Sequence, residues 1–459
     1  MSTRAMAIAT VCGVVIGIAY TLSPLSVWFV LAFAVLCRVA IRDLSVEERR
    51  IVFGMLVVAA VLRLAVVAGL FLTTDHFSVP FGSLFGDEEY FKRRSMWLRS
   101  MALDVDISIA DKIYAIDEYS DTSYLYLLAL VQVLVGDAPY GVHAFSILLY
   151  LVGAVILYRF VRQSFGSAPA TVSLGLVLFL PTLFLWSVSA LRESIHFMLT
   201  MIAIVGGLKA AGESHGVARR IGWALAAFGA TLALRDLRAG SMQVVAVSLA
   251  AGLAGSLLAR RPRLLTATVL AAVVAGTVAL TRPQVQDRMM TMVRESAMTH
   301  QGHVFTPGLH YKLLDSNYYL ERRMGIMERL TGPEAARFVV RALVAAILVP
   351  LPWQAESRFI QAYLPEQFVW YALVLLLPLG VWTAWRCQPA TTLVLTTYVL
   401  LTGTAIALRS GNVGTLVRHR GLILPFVICL ASVGICRALA RGARFRRSAP
   451  MLAVNERTV

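Results

Sequence analysis

Apolar runs of about 17 to 22 residues recur along nearly the whole chain, and nothing else in it constrains the fold so tightly. Each is long enough to cross the hydrocarbon core of a bilayer as a helix, which satisfies every backbone donor and acceptor within its own segment. The expected fold class is therefore all-α: a polytopic integral membrane protein with about twelve transmembrane helices. Composition agrees. Of 459 residues, 58% are hydrophobic and 15% charged, where ordinary soluble domains carry about 25% charged residues.

The formal net charge of +16 raises nucleic acid as a partner. The arginines, however, cluster at the ends of apolar runs, where membrane orientation and anionic headgroups account for them. Membrane lipids are thus an expected partner and nucleic acid is not. The five cysteines (Cys12, Cys37, Cys387, Cys429 and Cys436) lie in or beside apolar runs without CxxC spacing, which argues against a disulfide framework or a zinc site. The first apolar run is followed at once by a second and reads as an anchor rather than a cleaved signal.

Residues 5–21 and 25–41 form an apolar hairpin broken at Ser23-Pro24, and the unit 1–50 closes with the charged turn Arg42 to Arg50. Span 51–73 carries Arg63 near its middle; an intramembrane arginine is a functional hint as well as a structural one. The positive-inside rule places Arg42, Arg49 and Arg50 in the cytoplasm, so this span delivers loop 74–139 to the outer face. There 87–101 is expected as a short helix with Tyr90, Phe91, Met96 and Trp97 on its apolar side. The run 123–136 is expected as a helix lying at the outer interface, too short to cross. Spans 140–158, 168–187, 194–211, 221–236, 240–258 and 264–281 complete a core of 51–281. A large outer segment, 282–366, contains an interfacial or re-entrant helix, 338–352. Spans 367–385, 391–408 and 421–437 close the unit 367–437, and the basic tail 438–459 leaves both termini in the cytoplasm.

On this register four polar features share the outer face. Asp87-Glu88-Glu89 is a run of carboxylates in a greasy, basic chain. Acids held beside apolar walls are where general-base chemistry becomes possible, although a solvated acidic loop would look the same. Arg192-Glu193 heads a helix after Pro181 and Trp186-Ser187, and can equally be a pair that neutralises itself. Arg235-Asp236-Leu237-Arg238 is, alone, an ordinary outer loop. In the stretch Gly411 to Arg420, Gly411 and Gly414 let the backbone approach a ligand closely, while Arg418 and Arg420 carry forked donors suited to phosphate oxygens. Acid at one point and guanidinium at another, above a lipid-facing groove, suit a lipid-phosphate substrate. His300, His303 and His310 are loosely spaced and read as surface histidines rather than a metal site.

At these residues the chain resembles the GT-C glycosyltransferases that use polyprenyl-phosphate-linked sugars, the group of protein O-mannosyltransferases and lipid A aminoarabinose transferases. The resemblance runs over 51–211 and 409–426. It covers Arg63, Asp87-Glu88 and Tyr90, the Tyr124-Leu125-Tyr126-Leu127-Leu128 helix ending at Gly136, Tyr158-Arg159-Phe160-Val161-Arg162, Phe165-Gly166, Pro181 and Glu193. It implies juxtamembrane helices in the first outer loop, with Asp87 and Glu88 as the acidic pair that provides or positions the base. It further implies Glu193 as a second acid, where relatives more often have Asp, and Arg418 and Arg420 on the lipid phosphate. Arg63, Glu89, Tyr90 and Arg192 would line the substrate site. The hairpin 5–41 and the region 282–366 depart from the family pattern, which leaves the acceptor open.

The expected function is that of an inverting glycosyltransferase in the cytoplasmic (inner) membrane, its active site facing outside. It would move a hexosyl or pentosyl unit from a polyprenyl-phosphate-linked donor to a glycan, lipid or protein acceptor. Asp87 would act as base, with Glu88 and Glu193 orienting the acceptor or a divalent cation. Two alternatives stay open. One is a surface-polysaccharide polymerase or ligase with a polyprenyl-diphosphate donor, its growing chain held near Tyr318, Tyr319, Arg322 and Arg323. The other is a lipid-linked sugar transporter without bond chemistry, against which the placement of charges at helix ends counts.

Overall fold

The computed structural model describes residues 3–22, 24–75, 86–116, 122–136, 139–212, 216–259, 261–320, 326–354 and 357–448. Among these the fold is helical throughout, with one isolated β-bridge between His310 and Asn412. The amino-terminal hairpin is α1 (Thr3–Leu22) and α2 (Pro24–Ala40). Helix α3 (Val46–Thr73) starts ahead of its apolar run because Ser45 caps it and Glu47 and Glu48 suit the positive end of its dipole. The outer loop folds as α4 (Gly86–Ala102), α5 (Ile109–Ala115) and α6 (Ser123–Val135). With 13 residues, α6 is about 20 Å long. It is too short to cross, and packs along α4.

The central helices are α7 (Pro139–Phe165), α8 (Ser167–Phe179), α9 (Pro181–Val188), α10 (Glu193–Ala211), α11 (Val217–Leu237), α12 (Ser241–Ala259) and α13 (Pro262–Leu280). The second polar segment is itself helical: α14 (Pro283–Val304), α15 (Ile326–Arg329) and α16 (Gly332–Leu348). The chain closes with α17 (Arg358–Cys387), α18 (Pro389–Arg409), α19 (Val413–Arg420) and α20 (Leu424–Ser448). Seven described helices are long and apolar enough to cross a membrane, or ten if the bent pairs α8–α9, α13–α14 and α19–α20 each count as one span. The chain is thus a multi-pass membrane protein. The expected twelve had included both hairpin helices, of which α2 has 17 residues, at the short end of what spans a bilayer. On α13, Leu270, Val273, Val274 and Val278 are left exposed by the protein, as a lipid-facing surface allows.

Close packing of the bundle depends on small residues. A Cβ on Gly380 of α17 would stand 2.0 Å from the Leu430 carbonyl oxygen of α20, so only glycine lets these two backbones touch. At the opposite end from the acidic loop, Glu48 accepts from Arg162 Nε and Nη2 at 2.7 and 2.9 Å and from Tyr158 Oη at 2.6 Å, tying the start of α3 to the end of α7.

The span read as 168–187 is broken: α8 and α9 meet at 59° across Leu180-Pro181. Proline has no N–H, so Val177 O loses its helical donor, and Tyr150 Oη donates to it at 2.6 Å. Thr182 N–H donates to Glu366 Oε2 at 2.8 Å instead of to Leu178 O, and Arg63 Nη2 supplies that carbonyl at 2.9 Å. Arg63 also donates to Ser187 Oγ at 2.7 Å and Ala59 O at 3.1 Å, with the Phe184 and Tyr150 rings against its guanidinium. Arg63 is therefore fully buried in the framework, where it repairs a broken helix, rather than lining a substrate site as expected. A cation at this depth is tolerable only because carbonyls take its protons.

The outer segment is strapped onto the turn between α18 and α19. Val413 N–H donates to Leu309 O at 2.8 Å, Tyr311 N–H to Gly411 O at 3.2 Å and Tyr311 Oη to Ser410 O at 2.6 Å. His300 Nδ1 lies 3.0 Å from the same Ser410 carbonyl and Nε2 lies 3.1 Å from Tyr319 Oη. His300 is thus a fully buried core histidine, not a surface one. A Cβ on Gly411 would come within 2.3 Å of the His300 carbonyl oxygen. That glycine serves the strap, not a ligand, and Val413–Arg420 is a helix. On α16, Val340, Leu343, Val344, Ile347 and Leu348 are exposed, the apolar stripe of a helix suited to an interface.

Candidate active site

Three helix ends converge. Helix α4 opens with Asp87, Glu88 and Glu89, and α10 with Glu193, so acids occupy first turns where the helix dipole favours them. Helix α19 ends in Arg418-His419-Arg420, cations in a last turn. Arg418 Nη1 donates to Asp87 Oδ2 at 2.5 Å, and its Nε donates to Glu193 Oε1 at 2.8 Å. Its guanidinium carbon lies 5.3 Å from the centre of the Trp186 ring. The two acids differ in access: the Asp87 side chain is 67% exposed and that of Glu193 only 10%.

Cations outnumber acids here. Arg192 and Arg238 join Arg418 in the field around Glu193. Arg192 Nη1 donates to Leu237 O at 3.2 Å. Its Nε, Arg238 Nη1 and Glu193 Oε2 are buried without hydrogen-bond partners among the described residues. Burial pulls the Arg238 guanidinium down to about 10 against the pull of Glu193. It stays charged at neutral pH, and an arriving anion would relieve the cost of its burial. Beneath this charged mouth runs a narrow cleft walled by Leu183, Trp186, Phe197, Tyr398, Leu422 and Phe426.

The other expected site residues point elsewhere. Glu88 is fully buried, accepting from Ala190 N–H at 3.0 Å. Successive helix residues stand about 100° apart, so Asp87 faces outward to Arg418 while Glu88 faces the protein. Glu89 pairs with Arg93 on its own helix, and Tyr90 Oη accepts from Arg94. The buried side of α4 carries Glu88, Phe91, Lys92, Arg94 and Ser95, whereas Met96 and Trp97 are only half-buried. Arg420 is turned away from the acids. It donates to Ala346 O at 3.0 Å, to Gln367 Oε1 at 2.9 Å and to Val349 O, with Trp370 against its guanidinium. Residues two apart on a helix lie about 200° apart, so Arg418 and Arg420 cannot both grip one phosphate.

Lys92, His143 and a role for Arg238 were not foreseen. Lys92 follows Glu88 by one helical turn, the spacing of an ion pair, which was the available signal. Burial pulls the Lys92 ammonium from its ordinary 10.5 down to about 8, with Glu88 and Glu89 resisting. Between those values the unfolded chain binds more protons than the folded one, so this group makes stability rise with pH there. Comparing melting curves across that window, Lys92→Met should flatten the rise seen in the parent; parallel curves would refute it.

Residues 123–284 match the family described as dolichyl-phosphate-mannose-protein mannosyltransferase. That segment contains His143, Trp186, Arg192, Glu193 and Arg238, but neither Asp87 nor Arg418. Among solved structures, ArnT from Cupriavidus metallidurans bound to undecaprenyl phosphate is similar at 16% identity with a TM-score of 0.46. The apo state of ArnT is similar at 15% identity with a TM-score of 0.44. Both alignments cover 84% of this chain and 62% of ArnT, so the chain spans about three fifths of that protein's length. None of the curated protein sequences matches.

Proposed function

We propose, from the match of residues 123–284 to the dolichyl-phosphate-mannose-protein mannosyltransferase family, that the chain is a membrane glycosyltransferase of the GT-C kind, taking its sugar from a polyprenyl-phosphate-linked donor. The network of Asp87, Arg418 and Glu193, set over an apolar cleft, carries this reading. A phosphate on a lipid tail has the two chemistries the site offers: an anion for Arg192, Arg238 and Arg418, and hydrocarbon for the cleft.

In this reading the donor phosphate competes for Arg418 and frees Asp87. The Asp87 carboxylate then takes the proton of an acceptor hydroxyl as its oxygen bonds to the anomeric carbon. The bond from that carbon to the phosphate oxygen breaks, and its electron pair leaves with polyprenyl phosphate, stabilised by the arginines. Attack opposite the leaving phosphate inverts the anomeric centre. Glu193 holds Arg418 between the acids. A divalent cation would find oxygen ligands in Asp87 and Glu193, but Arg418 already stands between them, and no step here uses a metal. The acceptor is a glycan, lipid or protein on the outer face of the cytoplasmic membrane.

Purified protein given a polyprenyl-phosphate-linked sugar and cell-envelope acceptor should release polyprenyl phosphate and add one sugar per acceptor by mass. A ladder of additions would make it a polymerase, and transport in liposomes without covalent change a transporter. Arg418→Ala should weaken binding of undecaprenyl monophosphate, followed by native mass spectrometry, about 10–100-fold, the worth of a hydrogen bond to a charged group. Arg420→Ala should lower stability instead. Undiminished binding by Arg418→Ala would remove Arg418 from the phosphate site.

A further inference from the structure

Glu88, His143 and Lys92 form a buried cluster that the reaction above leaves unused. None is more than 2% exposed. His143 Nε2 stands 3.1 Å from both Lys92 Nζ and Glu88 Oε1. Its Nδ1 lies 2.8 Å from the Val188 carbonyl oxygen, which can only accept, so Nδ1 carries a proton. Nε2 then accepts from Lys92 when the imidazole is neutral, or donates to Glu88 when it is charged.

We propose that this cluster is a positioning clamp on the turn 188–190, which sets Glu193 against Asp87; this rests on the transferase reading of that site. The turn joins the broken span to α10: Ser189 N–H still donates to Leu185 O at 3.2 Å, but Val188 O, Ala190 N–H and Ala190 O lie beyond the helix and are met by side chains instead. Three helices supply them. His143 of α7 donates to Val188 O, Glu88 of α4 accepts from Ala190 N–H at 3.0 Å, and Tyr124 of α6 donates to Ala190 O at 2.9 Å. The chain then runs through Arg192 at the N-cap of α10 into Glu193. Because Glu88 follows Asp87, one helix end fixes both acids: Asp87 reaches Arg418 while Glu88 holds the turn that carries Glu193. A displacement of about 1 Å in such a constellation is enough to lose on the order of 10²-fold in rate. Glu88, His143 and Lys92 are therefore positioning residues, with no contact to substrate.

Hydrogen exchange followed by mass spectrometry on the full-length protein in detergent tests the clamp. The double variant Glu88→Leu, Lys92→Met removes both charges together, so that neither is left buried alone. Peptides spanning 187–193 should exchange about tenfold faster in it and in His143→Gln, while α3 and the body of α10 stay protected. Glu88→Gln keeps an acceptor for Ala190 N–H and should restore protection to within about twofold. Affinity for undecaprenyl monophosphate should fall and recover with that protection. A turn that stays protected in the double variant overturns the clamp, as does exchange rising equally through α3 and α7. An affinity that ignores the state of the turn overturns the positioning role. A parent protein that never binds undecaprenyl monophosphate sinks the transferase reading instead, and the exchange result still decides the clamp.

Discussion

Asp87→Asn is expected to lower sugar transfer by about 10² to 10⁴-fold, the usual contribution of a positioned general base. The fold should survive. The Asp87 side chain is 67% exposed, and an ion pair with so open a partner is worth about 1 kcal/mol or less. Arg418 keeps its second bond, to Glu193, so lipid-phosphate binding should hold or tighten as one competitor for the guanidinium disappears. Loss of turnover with retained binding and an unchanged melting temperature is the signature of a group acting on the acceptor proton. More than a tenth of parental activity in Asp87→Asn would place the base elsewhere.

Arg63→Met should show the opposite pattern, a loss of about 3–5 kcal/mol of stability with little change in lipid-phosphate affinity in the fraction that stays folded. Methionine keeps an unbranched apolar stem but ends where the guanidinium begins and donates nothing. Leu178 O is left without its donor at the break, at about 1–3 kcal/mol for an unsatisfied buried group, and Ser187 Oγ, which still donates to Phe184 O, loses the charged donor it accepts from. The contacts with the Phe184 and Tyr150 rings go as well, at about 1 kcal/mol each. Thermal unfolding in detergent, with undecaprenyl monophosphate binding measured in parallel, checks both halves. Weakened binding at full stability would return Arg63 to the substrate site.

Much of this was legible in the sequence. Lipid imposes a length and a composition on every span, so most helices fall where the apolar runs put them. The interfacial reading of 123–136 followed from length and charge, and α6 is the short helix it called for. Charged residues in a greasy chain also marked three of the residues that the fold brings together, since Asp87, Glu193 and Arg418 were all singled out. Choosing between neighbours was beyond the sequence. Asp87 and Glu88, or Arg418 and Arg420, look interchangeable as letters, yet a helix turns one of each pair toward the Asp87–Arg418–Glu193 network and the other into the protein. Arg63 and Gly411 carried real signals, an intramembrane cation and a permissive backbone. Their partners, Leu178 O and the His300 carbonyl, are backbone atoms that no residue type announces.

The sequence by itself determined that this is a membrane protein built of helices, where most of the apolar ones run, and which side chains carry uncommon charge. These follow from solvent and from periodicity over a few residues, which are local properties. Only the tertiary structure decided that Arg418 meets Asp87 across 331 positions and Glu193 across 225, and that Glu88, His143 and Lys92 stand behind them. Such contacts depend on how bent and broken helices pack against one another. The packing is set by the summed shape of the core, not by the spacing of any motif.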